Sequence, residues 1–155
     1  MKLSLTPEQA LIKIRNWCAR QERNHSEVRN KLYHFGLKRK EVENIIAELI
    51  SNGFINEERF AKQYSGGKFR MKKWGRMKIQ NHLKQKKVSE YCINKGLQEI
   101  TEKEYRETLK KLIEKKSKTI QEKNPLIKKN KLARFLIGKG YEPELVWEFV
   151  NDYFC

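Results

Sequence analysis

The chain has 155 residues, of which 38% are apolar and 35% charged, and its formal net charge at pH 7 is +16. This composition supports only a thin core, so it favours small helical units over one deep globule. No apolar run approaches the roughly 20 residues that cross a bilayer, and the start of the chain lacks the apolar segment of a signal peptide. Cys18, Cys92 and Cys155 form no CxxC pair. We therefore expect a cytoplasmic protein with reduced thiols and no membrane partner.

The first third of the chain predicts three helices. Residues 6–9 (TPEQ) supply a capping box with proline in the first turn, and apolar residues follow at helical spacing. Residues 24–27 (NHSE) have the pattern of a second capping box, and Gly36 predicts a left-handed end to that helix. The third helix is expected from about Lys38 to a stop at residues 52–53.

The later helices have start signals of the same kinds. Residues 56–58 (NEE) cap the fourth helix, and Trp74 followed by Gly75 has the spacing of a hydrophobic staple at the fifth. Residues 101–104 (TEKE) form a capping box at the seventh helix, and residues 142–144 (EPE) open the ninth. Because strand signals are nearly absent, the predicted fold class is all-α.

One pattern of apolar residues occurs three times, at offsets of 51 and 53 residues, without a gap inside any copy. A turn glycine returns as well, since Gly140 is equivalent to Gly36, whereas the middle copy has Lys87 there. We therefore predict three tandem three-helix repeats over residues 1–53, 54–100 and 101–155. The matched positions are Val28, Leu32, Leu37, Val42 and Ile46; Ile79, Leu83, Val88, Ile93 and Leu97; and Leu132, Leu136, Tyr141, Val146 and Val150.

Two adjacent glycines, Gly66 and Gly67, interrupt the fourth predicted helix. Each costs about 1 kcal/mol relative to alanine inside a helix. The expectation is a kink, or an early end of the helix followed by a mobile basic segment over residues 68–73. Such a break is either a hinge that directs cations at a ligand or a tolerated defect, and the sequence leaves both interpretations open.

The middle of the chain is strongly basic. From Arg59 to Lys87 there are eleven Lys or Arg residues and no acid, and residues 54–100 carry a net +8 against +4 for each flanking third. Aromatic residues alternate with these charges, which is typical of a folded unit that meets a polyanion. The backbone amides after Gly75 are expected to add attraction for phosphate. The candidate DNA- or filament-binding residues are Arg59, Lys62, Lys68, Arg70, Lys72, Lys73, Arg76, Lys78, Lys84, Lys86 and Lys87.

The sequence offers no catalytic constellation. His25, His34 and His82 lie in different predicted helices without metal-ligand spacing, and glycine-rich phosphate loops do not occur. Nuclease chemistry requires acids that hold metal ions, and the basic stretch has none. We therefore expect no catalytic residue, no metal, no cofactor and no enzymatic activity.

Residues 53–61 (GFINEERFA), with Tyr64 three residues later, resemble the central signature of the RecX family. Residues 73–75 (KWG) and the spacing of Ile79 and Leu83 continue the resemblance, which is good over residues 6–100 and looser over the rest. It implies an elongated, curved array of three-helix repeats that lodges in the groove of the RecA–DNA filament. It also implies a monomer that binds single- and double-stranded DNA and restrains RecA recombinase and co-protease activity in DNA repair and the SOS response.

Two other functions stay open. Three-helix units with a short second helix are also typical of helix-turn-helix DNA readers, which makes a transcription or nucleoid factor the alternative. Against base reading, the basic stretch offers only Arg76, Gln80 and Asn81 as plausible base-edge groups, whereas lysines suit phosphates. A basic RNA-associated protein is the third possibility, with Tyr64, Phe69 and Trp74 stacking on bases.

Overall fold

The computed structural model describes residues 4–155, and that part of the chain contains nine α-helices and no strand. The all-α prediction is confirmed. The helices are α1 (Pro7–Arg20), α2 (His25–His34), α3 (Arg39–Ser51), α4 (Glu57–Lys72), α5 (Arg76–Gln85), α6 (Glu90–Leu97), α7 (Glu102–Ser117), α8 (Pro125–Gly138) and α9 (Pro143–Tyr153).

The chain folds into two compact units. The first takes the chain up to Gln63 together with Leu83–Gly96, and the second consists of Tyr64–His82 and Leu97–Cys155. Helices α4 and α5 therefore each contribute residues to both units. The predicted repeat boundaries after residues 53 and 100 stay predictions.

The first unit is built on helices α1 to α3, whose starts follow the sequence signals. The amide of Gln9 donates to Thr6 Oγ1 at 3.2 Å, and the amide of Glu27 donates to Asn24 Oδ1 at 2.8 Å. Both predicted capping boxes are thus confirmed. The apolar faces of the three helices form one core, made of Ala10, Ile14, Cys18, Val28, Leu32, Phe35, Leu37, Val42, Ile45, Ile46, Leu49 and Ile55.

The second unit has an aromatic centre. Tyr105 and Tyr141 are fully buried with their ring centroids 5.0 Å apart, and Phe69 lies 5.8 Å from Tyr105. Phe69 belongs to the end of α4, so this half of α4 is fixed by its contact with α7. Around these rings lie buried aliphatic residues of α7, α8 and α9, namely Leu109, Ile113, Leu132, Leu136, Val146 and Val150.

The repeated pattern corresponds to a repeated turn. Gly36, Lys87 and Gly140 all have positive φ, of 88°, 61° and 102°. Each donates its amide to the carbonyl three residues earlier, at distances of 2.9, 3.0 and 2.9 Å. Fourteen of the fifteen matched apolar residues are buried, and Leu97 is half-buried. The middle copy therefore keeps the left-handed turn although a lysine stands where the other two have glycine.

The glycine pair does not end α4. The helix continues through both residues to Lys72, so the expected early end and the mobile basic segment after it are wrong. The reason is packing, because Ser65, Gly66 and Phe69 are buried and hold this half of the helix against its unit. A Cβ on Gly66 would lie 2.6 Å from the guanidinium of Arg70, so glycine leaves room for that side chain.

Gly67→Ala is expected to stabilise the protein by about 1 kcal/mol, since alanine is the better helix former and the site is open. A Cβ on Gly67 would meet nothing within 4 Å. Urea unfolding followed by circular dichroism measures the change. Gly66→Ala is the matched comparison, because there Arg70 must move and the gain should shrink or vanish. An equal gain at both positions, or a loss at Gly67, would contradict this account.

Candidate nucleic-acid interface

The structure divides the eleven predicted cationic residues between the two units. The first unit holds Arg59, Lys62, Lys84, Lys86 and Lys87. The second unit holds the other six, which lie at the end of α4, in the turn after it and at the start of α5: Lys68, Arg70, Lys72, Lys73, Arg76 and Lys78.

All three arginines of the predicted set are engaged by carboxylates. Arg59 Nε lies 2.5 Å from Glu22 Oε1, and Arg70 Nη2 lies 3.4 Å from Glu104 Oε1. Arg59 also donates to the carbonyl of Gly53 at 3.1 Å. Arginine suits such roles because its planar fork can bind several acceptors at once. These positive charges are therefore compensated within the fold.

Arg76 is held most tightly. Its Nη1 lies 3.1 Å from Glu102 Oε2, and its Nε forms an ion pair with Glu142 at 3.0 Å without hydrogen-bond alignment. The guanidinium also stacks on Tyr105, 3.8 Å from the ring centroid. Burial alone would lower the pKa of Arg76, but its hydrogen bond with Glu102 and the other contacts outweigh burial and raise it. Hydrogen bonding to Arg76 in turn lowers the pKa of Glu102.

The lysines differ from the arginines. Lys62 lies 3.8 Å from Glu58, at the edge of ion-pair distance. Within the described part of the chain, no carboxylate lies within 4.0 Å of the ammonium group of the following residues: Lys68, Lys72, Lys73, Lys78, Lys84 and Lys87. Lysine carries a compact point charge that suits phosphate.

The first amides of α5 are already used. The amide of Gly75 donates to the carbonyl of Lys139 at 2.8 Å, and that of Met77 donates to the carbonyl of Gly140 at 2.9 Å. The amide of Arg76 donates to the Tyr105 hydroxyl at 3.0 Å, and this hydroxyl in turn donates to Glu142. The expected attraction of these amides for phosphate is therefore wrong, because protein oxygens occupy them.

Two glycines let the start of α5 approach the turn between α8 and α9. A Cβ on Gly75 would lie 2.2 Å from the carbonyl carbon of Gly140. A Cβ on Gly140 would lie 2.4 Å from Lys78 Cβ and 2.7 Å from the Lys78 nitrogen. Tyr141 strengthens the junction, since its hydroxyl donates to the carbonyl of Lys73 at 3.0 Å.

Two family models match the chain over most of its second and third repeats. One is described as RecX, second three-helix domain, and matches residues 56–97; the other, RecX, third three-helix domain, matches residues 103–150. The chain is 31% identical to the regulatory protein RecX of Clostridium perfringens over 144 residues, which are 89% of this chain and 67% of that protein. The chain belongs to the RecX family.

Other RecX proteins are similar to this chain. The regulatory protein RecX of Clostridium tetani is 36% identical over 128 residues, and these cover 81% of this chain but 56% of that relative. The crystal structure of RecX from Lactobacillus salivarius matches with a TM-score of 0.87 at 22% identity, over 94% of this chain and 95% of that chain. A second RecX crystal structure matches with a TM-score of 0.84 at 24% identity, over 94% and 71%. These structures confirm the fold.

The residues that resemble the RecX signature have structural roles in this chain. Gly53 adopts φ 75° after α3, and Ile55 is buried in the core of the first unit. Asn56 caps α4 by accepting the amide of Arg59 at 2.9 Å, and Phe60 is buried. The motif therefore builds the junction between α3 and α4. Its arginine, Arg59, binds the carboxylate of Glu22 and the carbonyl of Gly53.

Sequence reasoning missed Lys139, in the turn after α8. Its carbonyl binds the amide of Gly75, and burial together with the positive charge of Lys78 lowers the pKa of its ammonium group. Lys139 lies 61 residues beyond Lys78 in a separate repeat. The only sequence signal for Lys139 is its position directly before the turn glycine Gly140 of the repeated pattern.

Residues 4–155 contain neither a membrane-spanning helix nor a metal site. None of the helices found there is both long enough and apolar enough to cross a membrane. Among the same residues, no group of His, Cys, Asp and Glu side chains could hold a metal ion.

Gly140→Ala is expected to lower the free energy of unfolding by more than about 2 kcal/mol, because backbone strain and a backbone clash add there. Gly53→Ala is the matched control, since Gly53 also has positive φ but a Cβ there meets nothing within 4 Å. The control should lose about 1 kcal/mol from strain alone. Urea denaturation of both variants measures the difference, and equal losses would show that the contact with α5 contributes nothing.

Proposed function

We propose that this chain binds the RecA–DNA filament and restrains the recombinase and co-protease activities of RecA, without a catalytic step of its own. The support is family membership, since the relatives are named regulatory protein RecX. Action on RecA is what the resemblance to that family implies. RecA works on DNA in the bacterial cytoplasm, which is where we place this chain, as a monomer. The chain spans 56% of the length of the Clostridium tetani relative. The activity of the whole relative is therefore a proposal for this chain.

The observation that carries the proposal is the division between the three arginines, which carboxylates engage, and six lysines that have no carboxylate within 4.0 Å among residues 4–155: Lys68, Lys72, Lys73, Lys78, Lys84 and Lys87. Arg59, Arg70 and Arg76 are compensated by carboxylates, so they contribute little to an external field. Those six lysines have no such partner among residues 4–155, and the chain as a whole has a net charge of +16. Lysines of this kind bind phosphates without reading sequence, which suits both single- and double-stranded DNA inside a filament.

The alternative function, a helix-turn-helix factor that reads base sequence, has less support. A specific reader needs side chains that reach base edges, and arginine on guanine is the commonest such contact. Arg76 is the one arginine among the three candidate base-edge residues, but its guanidinium is engaged by Glu102, Glu142 and the Tyr105 ring. Selection of bound DNA sequences from a random pool is expected to give no consensus, and a strong consensus would favour the alternative.

The test replaces Lys72, Lys73 and Lys84 together by glutamine and uses RecA filaments on single-stranded DNA. If these lysines contact phosphates, the dependence of log affinity for single-stranded DNA on log salt should flatten by about 2, at roughly 0.7 per contact. The concentration needed for half-inhibition of the RecA ATPase should rise by at least about tenfold at moderate salt.

The matched control replaces Lys103, Lys111 and Lys115, three exposed lysines of α7, by glutamine. It removes the same net charge, so it should change the salt dependence and the inhibition much less. Equal effects of the two triple variants would show that only net charge matters. Wild-type protein that leaves RecA filaments and their ATPase unchanged would refute the proposed function.

A further inference from the structure

Trp74, between α4 and α5, has an unusual environment for a tryptophan. Its side chain is half-buried, and two ammonium groups lie over the ring, Lys78 Nζ at 4.6 Å and Lys68 Nζ at 5.0 Å from the ring centroid. The imidazole of His82 lies 4.6 Å away at 48° to the ring plane. The ring is thus approached by side chains that are themselves only half-buried, whereas Phe69, five residues earlier, is buried in the core.

The same place concentrates positive charge. Lys78 lies in the first turn of α5 and faces the turn that carries Lys139. Burial and the positive charge of Lys78 together lower the pKa of the Lys139 ammonium group. In the described chain, no carboxylate lies within 4.0 Å of Lys68, Lys78 or Lys139. The positions of Lys78 and Lys139 are fixed by the backbone, since the carbonyls of Lys139 and Gly140 accept the amides of Gly75 and Met77. Two cationic side chains held near each other without a carboxylate partner attract an anion.

Trp17 is a comparison case, a tryptophan whose nearest cation is held in place by hydrogen bonds. Its ring also has cations over it, Arg23 at 3.9 Å and Lys31 at 5.4 Å from the ring centroid. However, the Arg23 guanidinium is fixed by hydrogen bonds to the Trp17 carbonyl at 3.4 Å, and Trp17 packs against the core of the first unit. Lys68 and Lys78 have no such bond within residues 4–155. The cations over Trp74 can therefore leave the ring for a phosphate and expose its face.

From this geometry we infer that Trp74, Lys68, Lys78 and Lys139 form a nucleotide-binding subsite for single-stranded DNA. One base stacks on the indole ring, and the flanking phosphates bind Lys78 and Lys139 on one side and Lys68 on the other. Aromatic rings next to cations are the usual platform of proteins that bind single strands, because every base offers a flat face. Duplex DNA fits poorly, since its bases are already stacked on one another. The inference rests on the proposed function for the identity of the nucleic acid.

The experiment uses the intact chain with Trp17 and Trp147 replaced by phenylalanine, so that Trp74 alone fluoresces. Addition of an oligothymidylate of about 12 nucleotides, within the usual site size, should quench this fluorescence at low salt. A chain that keeps only Trp17 should show no quenching. A duplex of the same length should quench Trp74 little even where it binds.

Binding is measured separately, from the anisotropy of labelled oligothymidylate without RecA. Trp74→Ala should weaken it by about fivefold to 150-fold, the range for loss of one stacked base, and Trp74→Phe should recover much of it. Lys78→Gln with Lys139→Gln should flatten the salt dependence by about 1.4, whereas Lys103→Gln with Lys111→Gln should not. Thermal unfolding of each variant separates lost contacts from lost folding.

Unchanged Trp74 fluorescence on a strand that anisotropy shows to be bound would overturn the subsite while leaving DNA binding intact. Equal quenching by duplex DNA would overturn stacking. RecA is absent from these measurements, so they test the subsite separately from the proposed function. If single strands quench Trp74 but RecA filaments are unchanged by the protein, the subsite stands and the proposed function fails.

Discussion

Within the second unit, the position of the start of α5 depends on one backbone contact, between Gly75 and Gly140. Neither residue can carry a Cβ there without collision, so the two backbone segments approach to a distance that only glycine allows. The amide of Gly75 and the carbonyl of Lys139 close the contact with a 2.8 Å hydrogen bond. As a result the helix start is satisfied by protein oxygens, and Lys78 comes to lie beside the turn that carries Lys139. The proximity of the positively charged Lys78 and Lys139 is therefore a consequence of the backbone geometry.

A second constraint is the difference between arginine and lysine. A folded domain with this net charge repels itself, and its stability depends on which charges are compensated. Here the three arginines of the basic stretch bind carboxylates from elsewhere in the chain, as Arg76 does with Glu102 and Glu142, whereas six of its lysines have no carboxylate within 4.0 Å among residues 4–155. Removing Arg76 would leave Glu142 beside the buried Tyr105 without its cation and Glu102 with Arg106 alone, a cost that falls on folding. The basic stretch is thus both a structural junction and a candidate surface for DNA, with different residues in each role.

Whether a feature could be predicted from the sequence depends on how far apart in the chain the interacting residues lie. Capping boxes at Thr6 and Asn24 and the left-handed stop at Gly36 depend on residues within a few positions, and each is present. The continuity of α4 through Gly66 depends on burial against distant helices, which local propensity cannot show. For the same reason the sequence located the basic stretch but not the partners of Arg76, which lie 26 and 66 residues further along the chain.

The turn that recurs in all three repeats shows why a shared pattern need not mean a shared requirement. Lys87 adopts φ 61°, which lies inside the left-handed region that residues with a Cβ can occupy at modest cost. Gly140 adopts φ 102°, outside that region, and its missing Cβ is the space into which Lys78 packs. A lysine can therefore replace glycine in the middle repeat but not in the third. The glycine at residue 140 is required by the approach of α5, so this position links the fold of the third repeat to the placement of Lys78 and Trp74.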